Sequence, residues 1–274
     1  MPIPDRLNPK FAIGRNDSQD SLDEARKRLI VALDVPSVEA ALELVKRLDG
    51  KCQWFKVGME LFTATGPAMI EKLKASGLLV FLDLKFHDIP NTVAGAVRSA
   101  AGLGVNMLNV HAGGGPAMLA AANAALEGIA DPPQLLAVTM LTSMDAAQMK
   151  AIGLASSAAK QVELLARMSM KAGIHGFVCS SLEVAALRKL TGEKGVLVVP
   201  GIRPAGAKVG DQRRIATPAS ALRAGASYLV VGRPITEAPD PAKAAEAVLE
   251  EMADALLVKA KKPKPGELRA SVGV

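Results

Sequence analysis

Leu29-Ile30-Val31-Ala32-Leu33-Asp34-Val35-Pro36-Ser37 is the stretch that decides the architecture. It is an unbroken aliphatic run, then one acid, a proline and a helix-starting serine. A parallel strand covered by helices on both faces reads this way, because it has no polar side to alternate with. An open doubly wound sheet could begin with the same strand, but it would usually follow it with a glycine-rich dinucleotide turn. Here no glycine appears until Gly50.

Working outward, seven more short aliphatic runs follow, at residues 52–57, 78–84, 107–110, 135–140, 176–179, 196–199 and 228–231. Between them lie Ala-, Leu-, Lys- and Glu-rich segments with helical spacing, among them 37–48, 92–103, 116–126, 157–171 and 182–190. Ser37, two residues before Glu39, is a helix start signal. Apolar runs separated by helical patterns make βαβ units, and eight units in about 230 residues are the arithmetic of a (β/α)8 TIM-type barrel in one domain. The expected division is an N-terminal extension over residues 1–26, a catalytic barrel over 27–256 and a loose basic tail over 257–274.

The chain has 274 residues, 50% of them hydrophobic but only 3% aromatic, so its core must be aliphatic. The net charge of +6 admits an anionic partner. Nucleic acid is not expected: there is one Trp, one Tyr and no dense basic block to stack or grip a strand. Lys259, Lys261, Lys262 and Lys264 sit in a proline-containing tail and read as a solvated terminus. Cys52 and Cys179 lie in aliphatic stretches without metal spacing and read as free thiols of a reducing compartment. With no membrane-length apolar segment and no signal-like start, a cytoplasmic protein that makes no membrane contact is expected.

Barrels carry their chemistry at the carboxyl ends of the strands. Asp34 closes the first strand here, Lys56 the second, and Asp83 with Lys85 the third; His87 and Asp88 follow in the loop. Side chains alternate along a strand, so Asp83 and Lys85 should share a face. Taken singly, each has an ordinary explanation as a solvated lysine or a helix cap. Together they converge on one mouth, where unpartnered charges would cost several kcal/mol. At the far side, Val199-Pro200-Gly201-Ile202-Arg203-Pro204 and Val231-Gly232-Arg233-Pro234 follow the seventh and eighth runs, the usual phosphate-binding loops of a barrel. Gly201 and Gly232 would let backbone approach an anion, and Arg203 and Arg233 would pair with it. The polar residues 206–214 read as a lid. His111 is open between ligand contact and a bond within the barrel. His175 and the Gly113-Gly114-Gly115 run read as structural, and no zinc site is expected from three scattered histidines.

Asp83-Leu84-Lys85-Phe86-His87-Asp88-Ile89-Pro90-Asn91-Thr92 resembles the signature of the orotidine 5′-monophosphate decarboxylase family, D-x-K-x-x-D in its decarboxylase form. The resemblance covers residues 28–241. It is supported by Ala32-Leu33-Asp34, Phe55-Lys56-Val57-Gly58, Leu141-Thr142-Ser143-Met144, Gly210-Asp211-Gln212-Arg213-Arg214 and the two phosphate loops. It implies decarboxylation of orotidine monophosphate to uridine monophosphate without metal or organic cofactor, by a homodimer with a shared site. Lys85 would protonate C6 within an array of Lys56, Asp83 and Lys85 completed by Asp88 of the partner subunit. Asp34 and Lys56 would hold the ribose hydroxyls, with Thr142 and Ser143 beside the base. Gln212, Gly232 and Arg233 would take the phosphate, Arg203 would support the lid, and Ile89 and Thr92 would complete the substrate pocket. Magnesium-dependent hexulose-phosphate synthases share the short motif but lack the His-Asp-Ile-Pro-Asn continuation. A barrel that only binds nucleotide is the non-enzymatic alternative, and it would not need a lysine–carboxylate array.

Overall fold

The computed structural model of the protein describes residues 17–204 and 216–260. The helix α1 (Asp17–Arg28) leads directly into β1 (Leu29–Ala32). There follow α2 (Val38–Arg47), β2 (Trp54–Gly58), α3 (Met59–Thr65), α4 (Ala68–Ala75), β3 (Leu79–Phe86), α5 (Pro90–Gly102), β4 (Met107–His111) and α6 (Gly115–Ala124). The second half continues with β5 (Gln134–Val138), α7 (Ala146–Ala151), α8 (Ala158–Lys171), β6 (Gly176–Val178), α9 (Val184–Thr191) and β7 (Val196–Val199). It ends with α10 (Pro218–Ala224), β8 (Tyr228–Val231), α11 (Arg233–Thr236) and α12 (Pro241–Ala260).

The eight strands pair in chain order, all parallel, and β8 closes on β1, which makes the (β/α)8 barrel. Closure leaves no strand edge to template aggregation. Ser37 caps α2 as its sequence suggests, accepting the Ala40 N–H. Strand ends differ from the aliphatic runs by a residue or two. Hydrophobicity continues past the last paired residue: Leu33 and Cys179 keep one backbone bond each, to Lys56 O and Val198 O, before the chain leaves the ladder.

Two apolar clusters follow from the strand period of two. Ile30, Ala32, Trp54, Phe81, Met107, Leu136, Val198 and Val230 fill the barrel interior, with Leu79, Val178, Val196 and Tyr228 against them. Their neighbours along the strands, among them Leu29, Val31, Phe55, Val80, Leu108, Phe177 and Leu197, pack outward under the helices. All eight strands thus contribute to the interior layers, and aliphatic side chains dominate both clusters, so the low aromatic content costs no packing. At Gly176 a side chain would be impossible, since a Cβ there would sit 2.7 Å from the carbonyl oxygen of Leu135.

The amino-terminal end of the barrel is built for stability. Trp54 and Tyr228 meet edge to face, with centroids 5.5 Å apart. Arg188 of α9 donates to the carbonyls of Gly192, Gly195 and Gly225 and to Ser227 Oγ, tying the loops before β7 and β8 to one side chain. α1 lies along α12, so part of the stretch expected as an extension packs against the barrel's last helix. Among the described residues no helix is long and apolar enough to cross a membrane. Cys52 and Cys179 are buried and free, and burial pushes the Cys52 thiol up to about 12.

Phe177 is fully buried between strand and helices. Phe177→Ala should lower unfolding stability by about 3–5 kcal/mol, with most of the loss from the cavity and the lost transfer energy. Urea denaturation followed by far-ultraviolet circular dichroism measures it.

Candidate active site

The inner parity of the strands does not stop where the apolar layers end. Two residues beyond Ala32 stands Asp34, and two beyond Trp54 stands Lys56. Two beyond Phe81 stands Asp83, and two beyond Met107 stands Asn109. The same period that builds the interior therefore aims these polar side chains at the carboxyl-terminal mouth.

There they form one network. The Lys56 ammonium lies 2.8 Å from Asp34 Oδ1 and 3.4 Å from Asp83 Oδ2. The Lys85 ammonium lies 2.6 Å from Asp83 Oδ1. Asn109 Nδ2 donates to that same Asp83 oxygen at 2.7 Å. Gly58 makes room for the array: a Cβ there would stand 2.8 Å from Lys56 Nζ and 3.1 Å from Asp34 Oδ1.

Asp83 and Lys85 do share the mouth, but simple alternation is not what brings them together. The β3–β4 register runs Leu82↔Leu108 and then Phe86↔Val110, so residues 83–85 of β3 face Asn109 alone. This bulge swings the strand, and Lys85 takes a left-handed φ of 53°. Such a conformation costs a non-glycine residue on the order of 1–3 kcal/mol and persists only where its surroundings enforce it. The Lys85 N–H, displaced from the ladder, donates to Asn109 Oδ1 at 2.7 Å.

Burial alone would raise the Asp83 pKa, but the Lys56 and Lys85 charges and the hydrogen bonds from Lys85 and Asn109 hold it below the ordinary value. Burial would likewise lower that of Lys56, and Asp83 and Asp34 outweigh it, so the ammonium sits above its usual range. Both groups stay ionised at neutral pH.

A cavity of about 370 Å³ opens over this network. Phe81, Val138, Val178 and Val230 form its apolar floor, and Asp34, Lys56, Asp83 and Lys85 one wall. Thr142, Pro200, Gly201, Arg203, Gly232 and Arg233 complete its lining. Arg203 is buried and donates to the Ile202 carbonyl. Burial and then the nearby Arg233 charge pull its pKa down, with Glu237 opposing them. Two guanidinium groups and two ammonium groups therefore border one chamber, which suits an anionic ligand.

Nine sequence candidates border this cavity: Asp34, Lys56, Asp83, Lys85, Thr142, Gly201, Arg203, Gly232 and Arg233. Asp88, Ile89, Thr92 and Ser143 do not; all four are exposed. Asp88 accepts its neighbour Ile89's N–H, and Ile89 is 66% exposed, an unusual degree for an isoleucine next to a charged site. Gln212 and the lid expected at 206–214 lie outside the described residues. His111 accepts the Gly113 N–H and stacks on His87 with centroids 5.0 Å apart, while Gly113 and Gly114 form a short 3₁₀ turn leading into α6. Asn109 was not among the sequence candidates.

A model of the family described as orotidine 5′-phosphate decarboxylase / HUMPS matches residues 27–248. The orotidine 5′-phosphate decarboxylase of Nitrosococcus oceani is 52% identical over 229 residues, spanning 84% of this chain and 99% of that protein. The one from Moorella thermoacetica is 52% identical over 234 residues, 83% of this chain and 93% of the relative. Among solved structures, orotidine 5′-phosphate decarboxylase from Lactobacillus acidophilus superposes with a TM-score of 0.72 at 40% identity, covering 82% of this chain and 98% of that one.

Asp83→Ala leaves the buried Lys56 ammonium and the half-buried Lys85 ammonium without their shared counter-charge, and should cost about 3 kcal/mol of stability at pH 7. The sign with pH follows from the depressed carboxylate: its contribution is complete above the ordinary carboxylate range and is lost as pH falls through the lower, folded value. Urea denaturation of both proteins from neutral to acid pH should show the gap closing on the acid side.

Proposed function

The chain belongs to the orotidine 5′-phosphate decarboxylase / HUMPS family and is a carboxy-lyase, and we propose that it converts orotidine 5′-monophosphate to uridine 5′-monophosphate and carbon dioxide through Lys85, without a cofactor. The observation that carries the reading is the pair of ammonium groups gathered on Asp83 in a cavity that two arginines also line. The family description also covers HUMPS enzymes. Identities of about 52% to proteins named as decarboxylases favour the decarboxylase branch.

Loss of carbon dioxide leaves an electron pair on a pyrimidine carbon with little delocalisation. The catalyst must therefore supply stabilisation toward the upper part of the roughly 8–23 kcal/mol that enzymes provide. A fixed ammonium beside the reacting carbon stabilises the developing charge as it forms, then delivers the proton. Asp83 holds Lys85 from below, so the ammonium need not reorganise during the reaction. In this reading Asp34 and Lys56 hold the ribose hydroxyls, and Thr142 and Ser143 flank the base. Arg233, Gly232 and Gln212 take the phosphate, with Arg203 behind them. Contacts remote from the reacting carbon offset the cost of ordering substrate in the site.

Cofactor independence is supported by how Asp83 is used. One of its oxygens serves Lys85 and Asn109 and the other faces Lys56, so two cations of the chain itself already balance the carboxylate's charge. A homodimer with a shared site is supported by the exposed Asp88, Ile89 and Thr92, which lie outside their own chain's cavity. In the dimer, Asp88 of the partner subunit would complete the charged array. Buried free thiols accord with work in the cytoplasm.

Lys85→Ala should reduce kcat by at least about a thousandfold, losing both electrostatic stabilisation and proton delivery. Affinity for uridine monophosphate should stay within about tenfold, because phosphate and ribose contacts persist. The absorbance change of the pyrimidine gives the first quantity and calorimetric titration the second; near-wild-type turnover would remove Lys85 from the mechanism. In the same assay a strong chelator should leave the wild-type rate unchanged, whereas a magnesium-dependent synthase would lose its activity.

A further inference from the structure

Asn109 is wholly buried, and both ends of its amide are committed. A buried amide within a strand could simply fill its hydrogen-bonding capacity with backbone neighbours. This one instead joins a carboxylate and a strained backbone on the adjacent strand. Nδ2 donates to Asp83 Oδ1, the oxygen that also receives the Lys85 ammonium, while Oδ1 receives the Lys85 main-chain N–H. It is the single β4 residue facing the three-residue bulge of β3, so it stands where ladder hydrogen bonds would otherwise run.

We infer that Asn109 is a positioning residue for the decarboxylation, a clamp that fixes the Lys85 ammonium by holding both the lysine's backbone and its counter-ion. The inference deepens the function proposed above and rests on it. Each of the clamp's two bonds has a separate task. The bond to the Lys85 N–H holds the left-handed turn, which decides where the side chain starts. The bond to Asp83 stops the carboxylate from rotating with the flexible lysine, which decides where the side chain ends. A lysine has four rotatable bonds, and an ion pair alone would leave its ammonium free to follow a moving partner. A misplacement of about 1 Å at a reacting atom can cost on the order of a hundredfold in rate.

The charged and titratable groups around Asp83 are Lys56 from β2 and Lys85 from β3. Asp34 lies beyond Lys56, and His111 with its stacked His87 lies beyond Lys85. Asn109 is a neutral donor in this set. Removing it takes one stabilising hydrogen bond from the carboxylate and should move the acid limb of the kcat/KM profile to higher pH.

The test uses full-length Asn109→Ala and the near-isosteric Asn109→Leu, the second keeping the volume filled. Circular dichroism and uridine monophosphate affinity report the fold, and orotidine monophosphate turnover across pH reports the chemistry. The expected result is a kcat lower by about a hundredfold, nucleotide affinity within about threefold, and an acid limb shifted upward. Turnover close to wild type overturns the inference. So does a parallel loss of turnover and nucleotide affinity with the acid limb unmoved, or failure of both variants to fold, since these mark a structural residue. A wild-type protein inactive on orotidine monophosphate would sink the proposed function instead. Crystal structures of the variants then decide the clamp by themselves. Lys85 returning to negative φ and parting from Asp83 supports it, and an unchanged Lys85 contradicts it.

Discussion

Two ammonium groups stand 2.6 and 3.4 Å from the oxygens of one carboxylate, and that closeness is tolerable only while Asp83 carries its charge. Lys56 and Lys85 would otherwise repel each other at close range. The mouth is therefore organised around an acid. Asp34 draws Lys56 to one side, Asn109 steadies Asp83 on the other, and Gly58 gives up its side chain to leave them space. Lys85 is the member whose backbone bends to join, through a bulge and a left-handed residue that a plain strand would not contain.

The barrel makes this arrangement affordable. Closed pairing of eight parallel strands fixes the direction of every second side chain, and the interior aliphatic layers lock those directions by packing. Charged groups set on the last inner position of adjacent strands then have little freedom to relax away from each other. The opposite end of the barrel is held differently, by the Arg188 hydrogen bonds and the Trp54–Tyr228 ring contact. Stability and chemistry are thus kept at separate ends of one sheet.

Much of this was legible in the amino-acid order. Aliphatic runs mark the strands because both faces of a parallel sheet are covered, and the end residues blur because hydrophobicity outlasts the ladder by a residue or two, as at Leu33 and Cys179. Asp34, Lys56 and Asp83 could be read because a charge ending such a run has few bland places to go. Asn109 escaped notice since a neutral amide gives no such alarm. Its signal was its parity, two residues after the interior Met107 and alongside Asp83. The left-handed Lys85 had no signal, for lysine carries none of the conformational freedom that makes glycine conspicuous. Asp88, Ile89 and Thr92 belong to the same signature as Asp83 and Lys85 yet stand outside their own cavity, because α5 begins at Pro90 and carries the chain away.

Everything at the mouth converges on a held positive charge that meets a carbon becoming negative. The reverse of the last step isolates that event: the product nucleotide, incubated with the protein in deuterium oxide, must surrender its C6 proton through the same carbanion. Proton magnetic resonance of uridine monophosphate follows the exchange directly, without any decarboxylation. Exchange at C6 that depends on the wild-type protein and disappears in Lys85→Ala is the expected result. Exchange that proceeds equally well without Lys85 would contradict the account at its centre.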